Sequence, residues 1–135
     1  MEDLTISEVS RRAGIRASAI RYYESIQLLP PPRRSGGRRR YSSDILRRLS
    51  FIQVAQAAGF SIAEIQTLLN ELDEKAPLSE RWQTLAQQKL AEVDALMRKV
   101  QGMKMILVNG LDCHCTNLEE CMDCIIRAES STNYL

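Results

Sequence analysis

Cys113, Cys115, Cys121 and Cys124 are the only four cysteines in the chain, and all fall within twelve residues. Their spacing is C-x-C-x5-C-x2-C. Four thiolates so close together can complete a tetrahedral all-thiolate site for zinc, or hold another soft metal such as copper. They can equally hold a [2Fe–2S] cluster, which takes four cysteines. His114, the single histidine of the chain, sits between the first two and could replace one ligand. In a reducing compartment such a cluster binds a metal or does redox work more often than it staples a fold.

A second chemistry lies at the other end of the chain. Positions 1–50 hold eleven arginines and five acidic residues, while 51–135 hold seven lysines or arginines and twelve acidic residues. The net charge of +1 therefore hides a basic head and an acidic remainder. Such a head is suited to a polyanion. Its use of Arg alone fits bidentate contact with phosphate and guanine. Catalysis is not expected: there is no His–carboxylate–nucleophile set and no phosphate-cradling Gly loop. Cys121-x2-Cys124 lacks the βαβ context of a dithiol oxidoreductase.

These groups need elements to hold them. Thr5-Ile6-Ser7-Glu8 fits a capping box, and Ile6, Val9 and Ala13 give the apolar face of a short helix ended by Gly14. A second helix is expected from about Ser18 to Ser25, with Ile20, Tyr23 and Leu28 in the core. Two short helices joined by a tight Gly-containing turn suggest helix-turn-helix. Pro30-Pro31-Pro32 then stops any helix. Gly36-Gly37, flanked by Arg33, Arg34, Arg38, Arg39 and Arg40, permits a tight basic hairpin, the wing of a winged helix-turn-helix. Ser43-Asp44 is expected to cap a third helix over about Ile45–Ala58, with Gly59 as its stop. Ser61-Ile62-Ala63-Glu64 is a second capping box and opens a fourth helix carrying Ile65, Leu68 and Leu69.

After Pro77, no proline interrupts Leu78–Val108. Leu85, Leu90, Val93, Met97, Val100, Met103 and Leu107 recur mostly at three- and four-residue steps, about four heptads of amphipathic helix. Such a helix, roughly 45 Å long, has too long a stripe for so small a protein to cover. Its natural partner is a second copy of itself. Lys89 and Lys104 interrupt the stripe and would be exposed in an antiparallel pair. The expected fold is mainly α. A winged helix-turn-helix DNA-binding domain spans 1–75. A dimerisation helix spans 76–110 and forms an antiparallel coiled coil in a homodimer. A short C-terminal cysteine loop and tail span 111–135, mobile after Ile126.

Several of these residues carry a resemblance. Ala19-Ile20-Arg21-Tyr22-Tyr23-Glu24 with Leu28-Leu29-Pro30 resembles the second helix of the MerR family of transcription regulators. Gly37 with Arg39-Arg40-Tyr41 resembles its wing. Gly59-Phe60-Ser61-Ile62-Ala63-Glu64-Ile65 resembles the helix pair that follows. The resemblance implies a homodimer on double-stranded promoter DNA with an over-long spacer. The activated dimer bends and untwists that DNA so that RNA polymerase can engage both of its elements. It also implies DNA contacts from Ser18, Arg21 and Tyr22 on the recognition helix and from Arg39 and Tyr41 on the wing.

The cysteine segment resembles two branches of that family. In the redox-sensing branch a [2Fe–2S] cluster is held by C-x2-C-x-C-x5-C. Counted from Trp82, Cys113, Cys115 and Cys121 match its last three cysteines, while Gly110 stands at the first and Cys124 would substitute. In the metal-ion branch Cys113 and Cys121 match a cysteine pair. Ser79 stands where that branch's divalent-metal sensors carry a further Cys, which favours a two-thiolate copper(I) mode and leaves Cys115 and Cys124 without a role. The expected signal is redox state read through a [2Fe–2S] cluster; the alternatives are a copper, zinc or other soft metal ion sensed by the same thiolates, or a structural zinc site.

No apolar run approaches the roughly 18–20 residues of a membrane span. Met1-Glu2-Asp3-Leu4 shows no basic start before an apolar stretch. A cytoplasmic protein with no membrane partner is expected.

Overall fold

The computed structural model describes residues 3–69 and 76–130. Its elements are β1 (Asp3–Leu4), α1 (Ile6–Ala13), α2 (Ala17–Ser25), β2 (Arg33–Ser35), β3 (Arg38–Ser42), α3 (Asp44–Ala57), α4 (Ile62–Leu68), α5 (Leu78–Gly110) and α6 (Leu118–Ser130). The chain divides after Leu85 into two compact units. The boundary expected at residue 75 lies outside the described residues, as does the tail beyond Ser130.

In the first unit, local chemistry starts and stops the helices. Thr5 Oγ1 accepts the Glu8 amide at 3.2 Å. The Glu8 carboxylate takes the Thr5 hydroxyl rather than its backbone N–H, so only half of the expected capping box forms. At the other end of α1, Gly14 sits at φ 68°, a conformation costly for any residue with a Cβ. Ser10 Oγ then donates to the Ile15 carbonyl at 2.6 Å and latches the turn between α1 and α2. The wing turns at Gly36 and Gly37, both at positive φ, as a two-residue hairpin of the primed kind requires. It pairs Ser35 with Arg38 and Arg33 with Arg40. β1 adds on the far side of β3, pairing Leu4 with Tyr41.

The start of α3 differs from expectation. Ser43 is helical and makes no side-chain cap; the Ser42 hydroxyl accepts the Asp44 amide instead, at 3.1 Å. α3 closes as foreseen. Gly59 is left-handed, and the Phe60 amide reaches back to the Ala55 carbonyl at 3.0 Å, a Schellman closure. Ser61 and Glu64 form the full reciprocal box of α4. Val9, Ile20, Leu28, Leu49, Ile52 and Ile65 are fully buried between these helices. Trp82, on the first turns of α5, packs edge-on against Phe51 and Phe60, with ring centroids 5.9 and 4.9 Å away. Arg81 donates to the carbonyls of Thr67 and Leu68 at 2.9 Å, occupying acceptors that the end of α4 leaves open.

In the second unit, α5 continues to Gly110. Leu90, Met97, Val100, Met103 and Leu107 are exposed along it. The segment expected to be a loop instead carries a helix, α6, over Leu118–Ser130. Asn117 is the reason: its Oδ1 accepts the Glu120 amide at 2.9 Å, an N-cap that starts the helix. α6 folds back on the end of α5. Asn109 Nδ2 donates to the Ala128 carbonyl at 3.4 Å, and a Cβ placed on Gly110 would lie 2.9 Å from Ile125 Cδ1.

Candidate functional site

The basic head presents one helix and one hairpin. Ser18, Arg21 and Tyr22 are all exposed on α2, Tyr22 at 54%. The spacing of one helical turn from Ser18 to Arg21 and Tyr22 sets the three on one face. Tyr23 lies half-buried against the core, as expected. The carbonyls just after α2 are held from behind: Gln66 Nε2 donates to Ile26 at 2.8 Å, and Arg48 Nε to Leu28 at 3.2 Å. Neither residue stood out in the sequence, because an exposed-looking Gln or Arg on a helix gives no local signal of a long-range bond.

The wing divides its arginines. Arg34 and Arg38 are exposed at the tip, with Arg34 Nη1 donating to the Gly37 carbonyl at 3.3 Å. Arg33 and Arg40 lie 2.9 and 3.9 Å from the two carboxylate oxygens of Asp3. Arg39 Nε pairs with Glu24 of α2 at 3.1 Å. Tyr41, expected to hold the DNA backbone, is corrected to a core residue: it is 3% exposed and its hydroxyl donates to Glu24. Burial, then that bond to a carboxylate, pushes its phenol well above the ordinary tyrosine range. Glu24, quoted in the sequence only as part of the second-helix motif, ties α2 to β3 through both partners.

The cysteines converge. Cys113 and Cys115 follow the end of α5, and the Cys113 amide closes a turn on the Gly110 carbonyl at 3.2 Å. Cys121 and Cys124 stand one turn apart on α6. Cys113 Sγ lies 3.2 Å from Cys115 Sγ and 3.8 Å from Cys121 Sγ. The sulfurs of Cys113, Cys115 and Cys124 all lie within 4.8 Å of one another. All four cysteines are free thiols, half-buried. His114 is exposed and does not belong to this group.

Proton sharing orders the thiols. The Cys115 amide, followed by the neighbouring thiols, donates to Cys113 and brings its pKa down to about 7. Cys115 is pushed up to about 12, first by the hydrogen bond its side chain shares with Cys113, then by burial. Cys121 is raised for the same leading reason. Sulfurs this close could hold a metal ion; ligation would need thiolates and release the remaining protons.

The model of the MerR HTH family regulatory protein matches residues 4–72, and a second model, described as MerR, DNA binding, matches residues 46–109. The chain belongs to the MerR family. It is a DNA-binding transcription regulator and not an enzyme. Among MerR relatives, an "HTH-type transcriptional activator SoxR homolog" from Chromobacterium violaceum is 36% identical, over 87% of this chain and 80% of its own. The "HTH-type transcriptional regulator HmrR" of Rhizobium leguminosarum bv. viciae is 33% identical, over 87% of this chain and 92% of its own. Among solved MerR structures, a transcription regulator from Ralstonia metallidurans in complex with lead(II) matches at a TM-score of 0.68. It is 29% identical, over 85% of this chain and 91% of its own. The mainly helical fold with a hairpin wing and long helix is thus the family's. Among the described residues, no helix is long and apolar enough to cross a membrane.

Proposed function

We propose that two copies of this regulator pair along α5, sit on an inverted repeat in promoter DNA, and change transcription when a soft metal ion is held by Cys113, Cys115, Cys121 and Cys124. The observation that carries the sensor half is the convergence of three sulfurs within 4.8 Å, with the fourth 3.8 Å from Cys113. A tetrahedral ion with metal–sulfur bonds of about 2.3 Å has sulfur–sulfur edges of about 3.8 Å; the Cys113–Cys121 distance equals that edge, Cys113 and Cys115 at 3.2 Å would part slightly, and Cys121 would close on the other two. A bound ion would tie residues 113–115 to α6 and supply a positive centre that offsets their thiolate charge.

Ser18, Arg21 and Tyr22 meet the groove and Arg39 the backbone. Tyr41 acts only by fixing the wing. The pair along α5 is supported by its exposed apolar row, which a single chain leaves in water. Two joined heads can span two half-sites about one helical turn apart. Ligation selects one setting of the pair, and that setting strains the duplex into a form RNA polymerase can open. The reducing cytoplasm keeps the thiols available.

A second reading has its own support. The in-register match of Cys113, Cys115 and Cys121 to the iron–sulfur branch, with the similarity to a SoxR homolog, favours a [2Fe–2S] redox sensor. The test is to select duplexes from a random pool with the full chain and footprint the winners with and without zinc, silver or cadmium. An inverted repeat whose central cleavage pattern changes with metal supports the proposal. Recovery of no repeat, or a footprint indifferent to every metal, would sink it.

A further inference from the structure

The geometry points to a single divalent soft metal ion held by four thiolates of one chain, the identity of the signal in the reading above, on which this inference rests. The donors come from two pieces that the fold already holds together. Cys113 and Cys115 extend from the end of α5; Cys121 and Cys124 lie on α6. α6 is pinned to α5 independently of the sulfurs, by the Asn109–Ala128 hydrogen bond and by Ile125 over Gly110. Three of the donors are therefore together before any ion arrives, Cys121 lies 3.8 Å from Cys113, and the four donors can come from one chain.

Charge selects the ion. Four thiolates around a monovalent ion leave three net negative charges; around a divalent ion they leave two. Asp112, Glu119, Glu120 and Asp123 stand next to the cysteines in sequence and add to the same negative field. No Lys or Arg lies between Leu111 and Ile126 in the sequence. Each extra negative charge in such a site is costly, so the doubly charged ion is favoured over copper(I) or silver(I). Coordination number agrees. Soft tetrahedral divalent ions use all four sulfurs, whereas a two-thiolate mode at Cys113 and Cys121 would strand Cys115 3.2 Å from an occupied ligand. Ser79 at the start of α5 is no obstacle to a divalent ion, because the fourth donor comes from the same chain.

The compactness of the set bears on the iron–sulfur alternative. A two-iron cluster stands between two pairs of ligand sulfurs, so sulfurs on opposite irons must be farther apart than those on one ion. Three sulfurs mutually within 4.8 Å would have to open to admit it.

The test is an anaerobic titration of the reduced full-length protein with cobalt(II), followed by zinc(II) competition and by silver(I) in a separate series. One cobalt per chain is expected, with the d–d and thiolate-to-cobalt absorption of a tetrahedral all-sulfur site. Cys113→Ser, Cys115→Ser, Cys121→Ser and Cys124→Ser should each weaken cobalt by more than about tenfold, the low end of what losing even an outer-sphere partner costs a metal site. Circular dichroism of each variant separates lost ligation from lost fold. The inference is overturned if Cys115→Ser and Cys124→Ser titrate like the unaltered chain, or if one ion serves two chains. A red-brown protein with about two irons and two sulfides per chain would overturn it as well. A four-sulfur cobalt site with a promoter footprint that ignores metal would leave this inference standing and remove the sensing role proposed above.

Discussion

Glu24 of α2 and Arg39 of β3 form an ion pair at 3.1 Å in which the Glu24 side chain is only 9% exposed. The same carboxylate accepts the Tyr41 hydroxyl. One acidic residue thus fixes the spacing between the recognition helix and the wing. Glu24→Ala should cost about 1.5–3 kcal/mol, the range for hydrogen bonds to charged groups. It should also weaken promoter binding, although removing a negative charge near DNA would by Coulomb's law alone strengthen it. Urea unfolding and fluorescence anisotropy on a promoter duplex check both. Tighter binding by Glu24→Ala would show that the residue merely repels phosphate.

Gln27 ends α2 at φ 62°, the one non-glycine residue at positive φ among those described. The Leu28 amide reaches the Tyr23 carbonyl at 2.8 Å across it, closing the helix as a Gly would. A left-handed residue with a Cβ costs roughly 1–2 kcal/mol. Gln27→Gly should therefore stabilise the protein by up to about 1 kcal/mol once the extra freedom of unfolded Gly is subtracted. A melting temperature that falls would mean the Gln27 side chain contributes more than its backbone strain.

Gln27 also marks where the sequence stopped being readable. Gly14, Gly36-Gly37, Gly59 and the Ser61–Glu64 box announce their turns because each demands a residue type. The stop after α2 does not, since tertiary bonds from Gln66 and Arg48 hold it. Tyr41 was misassigned because an aromatic beside arginines in a wing looks like a phosphate contact, and only its pairing with Leu4 and its bond to Glu24 turn it inward. α6 was legible and missed: Asn117 three residues before Glu120, then Leu118, Met122 and Ile125 at helical steps, is a start signal and a stripe. The thiol cluster itself was legible from spacing, but which sulfurs approach which was not, because that depends on how α6 folds back.

The exposed wing tip is expected to supply charge more than sequence reading. Arg34→Ala should weaken specific and random duplex alike and flatten the plot of log K against log salt by about 0.9, one phosphate contact. Arg21→Ala should lose more affinity for the selected site than for random DNA, by about 1–3 kcal/mol if it reads a base edge. Equal losses on both duplexes would reassign Arg21 to the backbone.

The metal-free thiols should react in order. Cys113 titrates at about 7, below its ordinary 9, so its thiolate fraction rises through neutral pH and saturates near pH 8. Cys115, pushed up to about 12, stays protonated across that range. Alkylation by iodoacetamide under anaerobic conditions, followed by peptide mass spectrometry, should label Cys113 first, with a rate that climbs from pH 6 to pH 8 and then levels. Metal uptake should release protons at pH 7 and weaken as pH falls, because Cys115 and Cys121 must ionise to ligate. Prior labelling of Cys115 would reverse the assigned direction of proton sharing.

The apolar row of α5 makes the strongest demand on a partner. Val93, Met97, Val100 and Leu107 repeat at steps of four, three and seven and are all exposed, Leu107 at 69%. Leaving such a row in water forfeits roughly 25 cal/mol for each square ångström that a partner could cover. Replacing both Val100 and Leu107 with Glu places like charges on the seam, and the chain should sediment as a monomer at concentrations where the unaltered protein is a dimer. Ser61–Glu64 and the core of the first unit lie elsewhere, so the head should keep its near-native circular dichroism and its non-specific affinity. Binding to the inverted repeat should fall by about 10²–10⁴, because two half-sites would no longer be engaged by one joined particle. A double variant that remains a dimer would show that the copies meet through another surface and that this row is covered by something else.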